Sequence, residues 1–337
     1  MVNSGLLPID TDDELPSATP LRQFLTFIVP APNGCNLKCR FCFVRQRAEM
    51  AASDLPLTRY TQFIRQAAAR APIFALSIQG YEPLLPASRP YTQAILATGR
   101  LLGIPTGLVT NGTHLAEAAD WLATLAPTKI AVSLDAADAA THDRLRGVSG
   151  AWAMTVAGIE RAVAVLAPRT AIAVASVLMP SGPGPLEGMP RLLASLGIGD
   201  WIITPLQKVG RDAPGGPIGV RRALYQSLAR LQDAADAAAV RLTIDDELDC
   251  LQHARAAAAQ PELRRFRVRT IPVGVDLIRL GPDGACSVGR DILRQVNAGT
   301  PRWRPDEEHA GDFLARVLPS ASMAPAVTHA RQPSPVV

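Results

Sequence analysis

The stretch "GCNLKCRFCF", residues 34–43, places three of the chain's five cysteines on one short loop. Their spacing is C-x3-C-x2-C, and the loop follows the apolar run "FLTFIV" (24–29), which predicts a β-strand. A structural zinc site needs four protein ligands, and no histidine precedes His114. A four-iron cluster normally takes four cysteines, so a cluster with three keeps one iron open to a ligand. A zinc loop, a disulfide and an iron–sulfur cluster all remain possible from the loop alone.

Short apolar runs alternate with helical patterns after this loop, which indicates parallel βαβ units and an α/β fold. The six predicted strands are 24–29, 73–79, 105–110, 129–135, 171–179 and 201–206. The predicted helices include Tyr60, Phe63, Ile64 and Ala67 on one face, and the stretches 89–102, 114–124, 151–167, 187–196 and 218–239. Six units favour a partial (β/α)6 TIM-like barrel, with an open doubly wound sheet as the alternative. Ligands bind at the carboxyl ends of the strands in either fold.

Composition excludes some classes of protein. Of 337 residues, 48% are hydrophobic and 19% charged, which is unlike a disordered chain. The net charge of +4 is small, and no basic stripe indicates a nucleic-acid partner. We find no signal-peptide pattern and no apolar run of membrane-spanning length, so we expect a cytoplasmic protein without membrane contact. Clustered cysteines bind metal more often than they pair in that compartment.

The chain divides by pattern into four parts. We predict an N-terminal extension over 1–23, the partial barrel over 24–240, a short C-terminal α+β cap or substrate region over 241–318, and a disordered tail over 319–337. Within the cap, "RLTIDDELDCLQHARAAAA" predicts a strand and then a helix. A β-hairpin is predicted to turn at Pro282-Asp283-Gly284.

The loop motif Cys35-x3-Cys39-x-Phe41-Cys42 resembles the signature of the radical S-adenosylmethionine (radical SAM) superfamily. The resemblance implies that the three cysteines hold a [4Fe–4S] cluster, whose unique iron binds the amino and carboxylate groups of SAM. It also implies reductive cleavage of SAM to a 5′-deoxyadenosyl radical, which abstracts hydrogen from a substrate. A zinc loop, or a ferredoxin-like cluster completed by Cys250 or Cys286, is the competing interpretation.

Motifs at the next strand ends carry the same resemblance. Gly80-Tyr81-Glu82-Pro83 is similar to the family's Gly-Gly-Glu-Pro motif, which implies a contact with the amino group of SAM. The second glycine of that motif is Tyr81 here, which puts the local turn in question. Without the resemblance, Glu82 is an ordinary exposed loop carboxylate.

Three further strand ends complete the predicted SAM site. Thr110 and Asn111 begin a "TNG" stretch, which could also be a plain turn. Ser133 and Asp135 lie in a stretch similar to the family's "SLDG…HDRLRG", which implies contacts with the ribose or carboxylate of SAM. Asp135 could instead be a helix N-cap, and the residues 142–146 fit a role in loop structure. Ser176, near the end of the fifth strand, is included as a neighbour of SAM.

The last third of the chain gives little further information about the cofactors and the substrate. Cys250 and Cys286 are too few to ligate an auxiliary cluster unaided. We expect both to be plain buried residues, and for Cys286 the alternatives are a vestige of a cysteine-rich extension and a thiol that contacts the substrate. We therefore expect a radical SAM enzyme acting on a small-molecule metabolite, with a reductant such as flavodoxin or ferredoxin as partner. The alternatives are a maturase of a ribosomal peptide and, in a different class, a non-catalytic zinc or iron–sulfur interaction module.

Overall fold

A computed structural model describes most of the chain. The described residues are 22–31, 34–39, 41–42, 55–167, 169–179, 182–206, 222–245, 266–269, 275–288 and 300–318. The predicted helix after residue 245, the tail over 319–337, Cys250 and most of the N-terminal extension lie outside these ranges.

Ten strands and eight α-helices make up the described fold. The strands are β1 Arg22–Phe27, β2 Ile73–Ile78, β3 Thr106–Thr110, β4 Lys129–Ser133, β5 Ala171–Leu178, β6 Asp200–Pro205, β7 Arg241–Asp245, β8 Val268–Arg269, β9 Val275–Leu280 and β10 Cys286–Val288. The helices are α1 Leu57–Arg70, α2 Arg89–Leu101, α3 Leu115–Leu125, α4 Ala139–Arg146, α5 Ala151–Leu166, α6 Met189–Ser195, α7 Arg222–Ala237 and α8 Ala310–Val317, with a 3₁₀ turn at Gly184–Leu186.

All the described strands belong to one sheet, in the order β10-β9-β1-β2-β3-β4-β5-β6-β7-β8. Neighbours are parallel throughout except for the antiparallel pair β9 and β10. A doubly wound sheet reverses its strand order at a switch point, whereas β1 to β8 follow one another without reversal. The predicted α/β fold with an open, partial barrel is therefore confirmed.

The hydrophobic core lies between this sheet and its helices. Phe27 of β1 packs against Tyr60 and Phe63 of α1, with ring centroids 6.1 and 6.3 Å apart. The apolar stripe predicted for this helix, which also contains Ile64 and Ala67, is buried in full. Leu228 and Leu231 of α7 are buried in the same core. The spacing of apolar residues in the sequence therefore identified the core face of α1.

Helix α4 was not predicted, because it carries too few apolar residues to show a stripe. Its start and end signals are nevertheless present in the sequence. The Asp138 side chain accepts a hydrogen bond from the Thr141 backbone N–H at 2.8 Å, and Gly147 ends the helix with φ 72°. The N-cap is thus Asp138, and the alternative interpretation of Asp135 as a helix cap is wrong.

The C-terminal strands extend the sheet at both edges. The predicted hairpin is confirmed as β9 and β10, and β9 pairs in parallel with β1, an arrangement that no local pattern predicts. At its turn, Gly284 has φ 77°, and a Cβ there would lie 2.6 Å from the Trp303 carbonyl oxygen. Trp303 in turn packs edge-on against Phe63 at 5.0 Å. The strand predicted after residue 240 is β7, and the short β8 was not predicted.

Among the described residues, no helix combines the length and apolar character needed to cross a lipid bilayer.

Candidate functional site

The carboxyl ends of the parallel strands β1 to β6 meet at one edge of the sheet, because parallel strands share a direction. The loop with the three cysteines follows β1 at this edge. The turn at Gly80, the Asn111 segment and Asp135 follow β2, β3 and β4 in the same way. The fold therefore brings the predicted motifs to one edge, as their positions after successive strands require.

The three loop cysteines form a small apolar cluster with Leu37 and Ala151. All three are free thiols, as is Cys286, so none of the four described cysteines is in a disulfide. Burial raises the pKa of the Cys35 thiol to about 11, and burial also raises the pKa of the Cys39 thiol. A thiolate in this environment needs a compensating cation, and soft thiolate donors suit an iron–sulfur centre.

The cysteines are not arranged as a finished metal site. Within the described ranges, no three cysteine, histidine or acidic side chains converge in the way that would hold a metal ion. The donor chemistry of Cys35, Cys39 and Cys42 fits a cluster, but the thiols would have to turn toward one another on binding it. Ligation by these three residues therefore stays a prediction.

Arg146, at the end of α4, fixes the middle of the cysteine loop. Its Nη1 donates to Cys39 Sγ at 3.8 Å, and its carbonyl oxygen accepts from the Lys38 N–H at 2.9 Å. The guanidinium lies 5.5 Å from the centre of the Phe41 ring and forms an ion pair with Asp135, Nε to Oδ2, at 2.7 Å. Burial lowers the pKa of Arg146, but the charges of Asp135 and Cys39 outweigh this and raise it. The arginine is therefore charged, and its guanidinium is held by Cys39, Asp135 and Phe41.

Glu82 is fully buried, so its interpretation as an exposed loop carboxylate is wrong. Its Oε1 accepts from Thr110 Oγ1 at 2.6 Å and from the Leu84 N–H at 3.0 Å, and its Oε2 accepts from the Asn111 N–H at 2.6 Å. Burial raises the pKa of this carboxyl, and the three donors partly offset the increase. Glu82 thus ties the turn after β2 to the end of β3. Direct contact with the amino group of SAM stays a prediction.

Asn111 joins that end of β3 to the cysteine loop. Its Nδ2 donates to Asn36 Oδ1 at 2.9 Å and lies 3.8 Å from Cys35 Sγ. Its Oδ1 accepts from the backbone and hydroxyl of Thr113, whose hydroxyl oxygen also accepts from Asn36 Nδ2 at 2.8 Å. The "TNG" stretch is therefore hydrogen-bonded to the cysteine loop and is not a plain turn.

The two predicted ligand groups after β4 have different surroundings. The Asp135 carboxylate is 1% exposed and is used internally, by Arg146 and by the Val177 N–H, which donates to Oδ1 at 2.9 Å. Ser133 is half-buried, and its hydroxyl has no hydrogen-bond partner among the described residues. Of the two, Ser133 is the group still open to a ligand.

The Ser176 side chain is buried, and its hydroxyl is hydrogen-bonded within the protein. Its hydroxyl donates to the Leu134 carbonyl oxygen, and it accepts from Trp201 Nε1 at 2.9 Å. These bonds connect β5 to the end of β4 and to β6. The structure therefore surrounds Ser176 with protein groups on both sides, and its placement beside SAM stays a prediction.

The turn after β2 has an uncommon backbone. Gly80 has φ 83° and Tyr81 has φ 43°, so the tyrosine adopts the left-handed conformation that a second glycine would take without strain. The Pro83 carbonyl oxygen accepts from Thr92 Oγ1 at 2.8 Å, which anchors the turn to α2. The departure from two glycines therefore leaves the turn intact.

Sequence reasoning missed Asn36 as part of the site and gave Arg146 only a role in loop structure. Asn36 had only a weak signal, because it is a polar residue directly after the first cysteine, and Lys38 lies between the same two cysteines. Arg146 had none that spacing could supply, since its contact with Cys39 crosses 107 residues of chain.

Comparison of the sequence with known proteins finds radical SAM proteins, the same family that the strand-end motifs resemble. The sequence profile of the radical SAM superfamily matches residues 29–184, which is 156 of 337 residues. A relative named AdoMet-dependent heme synthase, from Methanosarcina barkeri, is 38% identical over 129 residues, 38% of this chain and 36% of that protein. A GTP 3′,8-cyclase from Mycolicibacterium smegmatis is 34% identical over 154 residues, 43% of this chain and 40% of that protein. The matches thus span well under two thirds of each relative.

Solved structures agree in fold. SuiB of Streptococcus suis bound to its precursor peptide SuiA superposes with a TM-score of 0.61 at 15% identity, over 87% of this chain and 64% of that one. The protein anSMEcpe, crystallised with AdoMet and a peptide, superposes with a TM-score of 0.58 at 13% identity, over 87% and 80% of the two chains. Identities this low show the shared fold alone.

Proposed function

We propose, because residues 29–184 match the radical SAM superfamily, that the protein is an enzyme that cleaves SAM reductively at a [4Fe–4S] cluster bound by Cys35, Cys39 and Cys42. When bound, the cluster and SAM supply a 5′-deoxyadenosyl radical that abstracts hydrogen from the substrate. The superfamily uses these two cofactors, and structural neighbours have been crystallised with SAM.

The observation that carries the proposal is the double attachment of the cysteine loop. Asn111 and Thr113 bind Asn36 on one side, and Arg146 binds Lys38 and Cys39 on the other. A loop that only held a structural zinc would need no such bonds to the segment after β3 and to the end of α4. These bonds fix the thiols beside the strand-end groups predicted to meet SAM.

The strand-end residues have distinct tasks in this proposal. The Ser133 hydroxyl, at the end of β4, is open to accept or donate a hydrogen bond to SAM. Glu82 holds the Gly80–Tyr81 turn against β3, so that the backbone carbonyls of the turn keep a fixed position for an amino group. The buried apolar residues Leu37 and Ala151 pack against the cysteines and shield Cys39, the most buried of the three, from water.

The substrate we propose is a small-molecule metabolite. The two sequence relatives above carry names that denote the making of small molecules, and they are 38% and 34% identical to this chain over the matched residues. The peptide-bound neighbours are similar in fold alone, so they give a peptide substrate no comparable support. The electron would come from a small reductant such as flavodoxin or ferredoxin, in the cytoplasm.

Anaerobic purification followed by metal analysis tests the metal assignment. We expect a brown protein with about four irons per chain and broad absorbance near 400 nm, as for a [4Fe–4S] centre. A colourless protein with one zinc would instead establish the non-catalytic metal module. Substrate class is then tested by hydrogen transfer from deuterated pools of metabolites and of peptides into 5′-deoxyadenosine; transfer from the peptide pool alone would overturn the metabolite proposal.

A further inference from the structure

The charged pair Arg146 and Asp135 lies directly beside the cysteine loop, and the function proposed above gives the arginine only the task of holding that loop in place. Arg146 is 8% exposed and Asp135 1% exposed, so the pair is shielded from bulk water. Charges inside a protein act on their neighbours far more strongly than charges at a surface. A buried cation at a metal-binding thiol therefore has an electrostatic consequence as well as a structural one.

Three contacts orient the guanidinium. Asp135 pairs with Nε, the Phe41 ring lies against the plane, and Nη1 points to Cys39 Sγ. Asp135 is itself fixed, since Val177 donates to its Oδ1 and its own N–H donates to His142 Nδ1 at 3.2 Å. The orientation of Arg146 is therefore set by β4, β5 and the loop together.

The backbone after Arg146 also closes on the loop. The Lys38 N–H donates to the Arg146 carbonyl oxygen at 2.9 Å. A Cβ at position 147 would lie 2.7 Å from the Lys38 carbonyl oxygen, so only glycine allows this approach. The Arg146 side chain thus contacts Cys39, and the backbone of Arg146 and Gly147 contacts Lys38.

We propose that Arg146 is a positioning residue that supplies a fixed positive charge to the Cys39 sulfur and thereby raises the reduction potential of the cluster. The inference rests on the proposed function, because it requires a cluster at these cysteines. The physical reason is that reduction adds one negative charge to the cluster, and a nearby cation stabilises the reduced form more than the oxidised one. A hydrogen bond to a ligand sulfur acts in the same direction. Asp135 contributes by orienting the arginine, so it need not touch SAM.

The test compares Arg146→Met and Arg146→Lys with Arg144→Met in the reconstituted holoprotein. Arg144 is the matched control: it lies on the same helix, is exposed, and its guanidinium donates to Thr141 Oγ1 at 3.5 Å rather than to a cysteine sulfur. Reduction potentials are measured by anaerobic redox titration followed by electron paramagnetic resonance (EPR), with iron content determined on the same samples. We expect a more negative potential for Arg146→Met, an intermediate value for Arg146→Lys, and no change for Arg144→Met.

Two results would overturn the inference. One is an Arg146→Met protein with full iron content and the potential of the parent. The other is loss of iron in both Arg146 variants, because a retained charge that rescues nothing indicates a purely structural role. An unaltered protein that binds no iron–sulfur cluster would refute the proposed function instead, so the two failures are distinguishable.

Discussion

At the scale of single residues, Tyr81 has the most informative backbone. Its φ of 43° lies in the left-handed region, where a side chain costs about 1 kcal/mol and glycine costs nothing. Strain of this kind is often retained at functional sites. Here it keeps the turn beside the buried Glu82 in the form that a second glycine would allow.

This conformation can be tested with two substitutions that both remove the ring. We expect Tyr81→Gly to be more stable than Tyr81→Ala by about 1 kcal/mol, because only alanine keeps the Cβ that the left-handed conformation disfavours. Chemical denaturation of the apo-proteins measures the difference. Since both variants lose the same side-chain contacts, an alanine variant as stable as the glycine variant would mean that the residue is not left-handed.

Glu82 and Asp135 show how far single residues could be predicted. Their positions at strand ends followed from the strand pattern, and the contacts with SAM that the motifs imply stay predictions. Their bonding partners could not be predicted, because the Glu82 partners include Thr110 and Asn111, about thirty residues away, and the Asp135 partners include Arg146 and Val177. Which protein groups satisfy a buried carboxylate depends on packing that no local spacing records.

At the scale of elements, α4 joins the site to the sheet. His142 on this helix is buried and accepts a hydrogen bond from the Asp135 N–H through Nδ1, which requires a neutral ring. Burial and the nearby Arg146 charge lower its pKa to about 4, against the opposing influence of Asp135 and Asp143. The helix was missed in the sequence because caps, rather than an apolar stripe, define it.

The free energy of unfolding should therefore depend on pH through the protonation of His142. In the unfolded chain the histidine has a pKa of 6.5, whereas in the folded protein its pKa is about 4. The neutral ring therefore makes its full contribution to the free energy of unfolding above pH 6.5, and this contribution is lost as the pH falls toward 4. The loss amounts to about 3 kcal/mol. His142→Asn keeps an acceptor near the Nδ1 position but cannot titrate in this range. Denaturation at pH 7 and pH 4.5 should show a smaller loss for this variant, and equal losses would contradict the assignment.

At the scale of the whole molecule, the sheet continues past the predicted barrel. β9 and β10 lie beside β1, which places Cys286 in the main core rather than in the cysteine cluster. The hairpin was predicted from the residues of its turn. Its pairing with β1, more than 240 residues away in the chain, depends on tertiary packing and could not be predicted from local sequence. Substrate-contacting loops have no fixed sequence pattern either, so the substrate class could not be predicted as firmly as the fold.

Cys286 should not be a cluster ligand. It is 1% exposed, and burial raises the pKa of its thiol to about 12. We expect Cys286→Ala to retain the iron content of the parent while losing about 1 kcal/mol of stability for the cavity it leaves. Iron analysis with Cys35→Ala as the comparison checks this. Equal iron loss in both variants would show that Cys286 completes the metal site.

The central claim is that three loop cysteines hold a cluster that cleaves SAM, and formation of 5′-deoxyadenosine tests it most directly. The protein and its Cys39→Ala variant are reconstituted anaerobically and incubated with SAM and a chemical reductant, and the nucleoside is quantified. The account predicts reductant-dependent 5′-deoxyadenosine from the parent protein and none above background from the variant. Formation at the same rate by both proteins, or by neither, would contradict it.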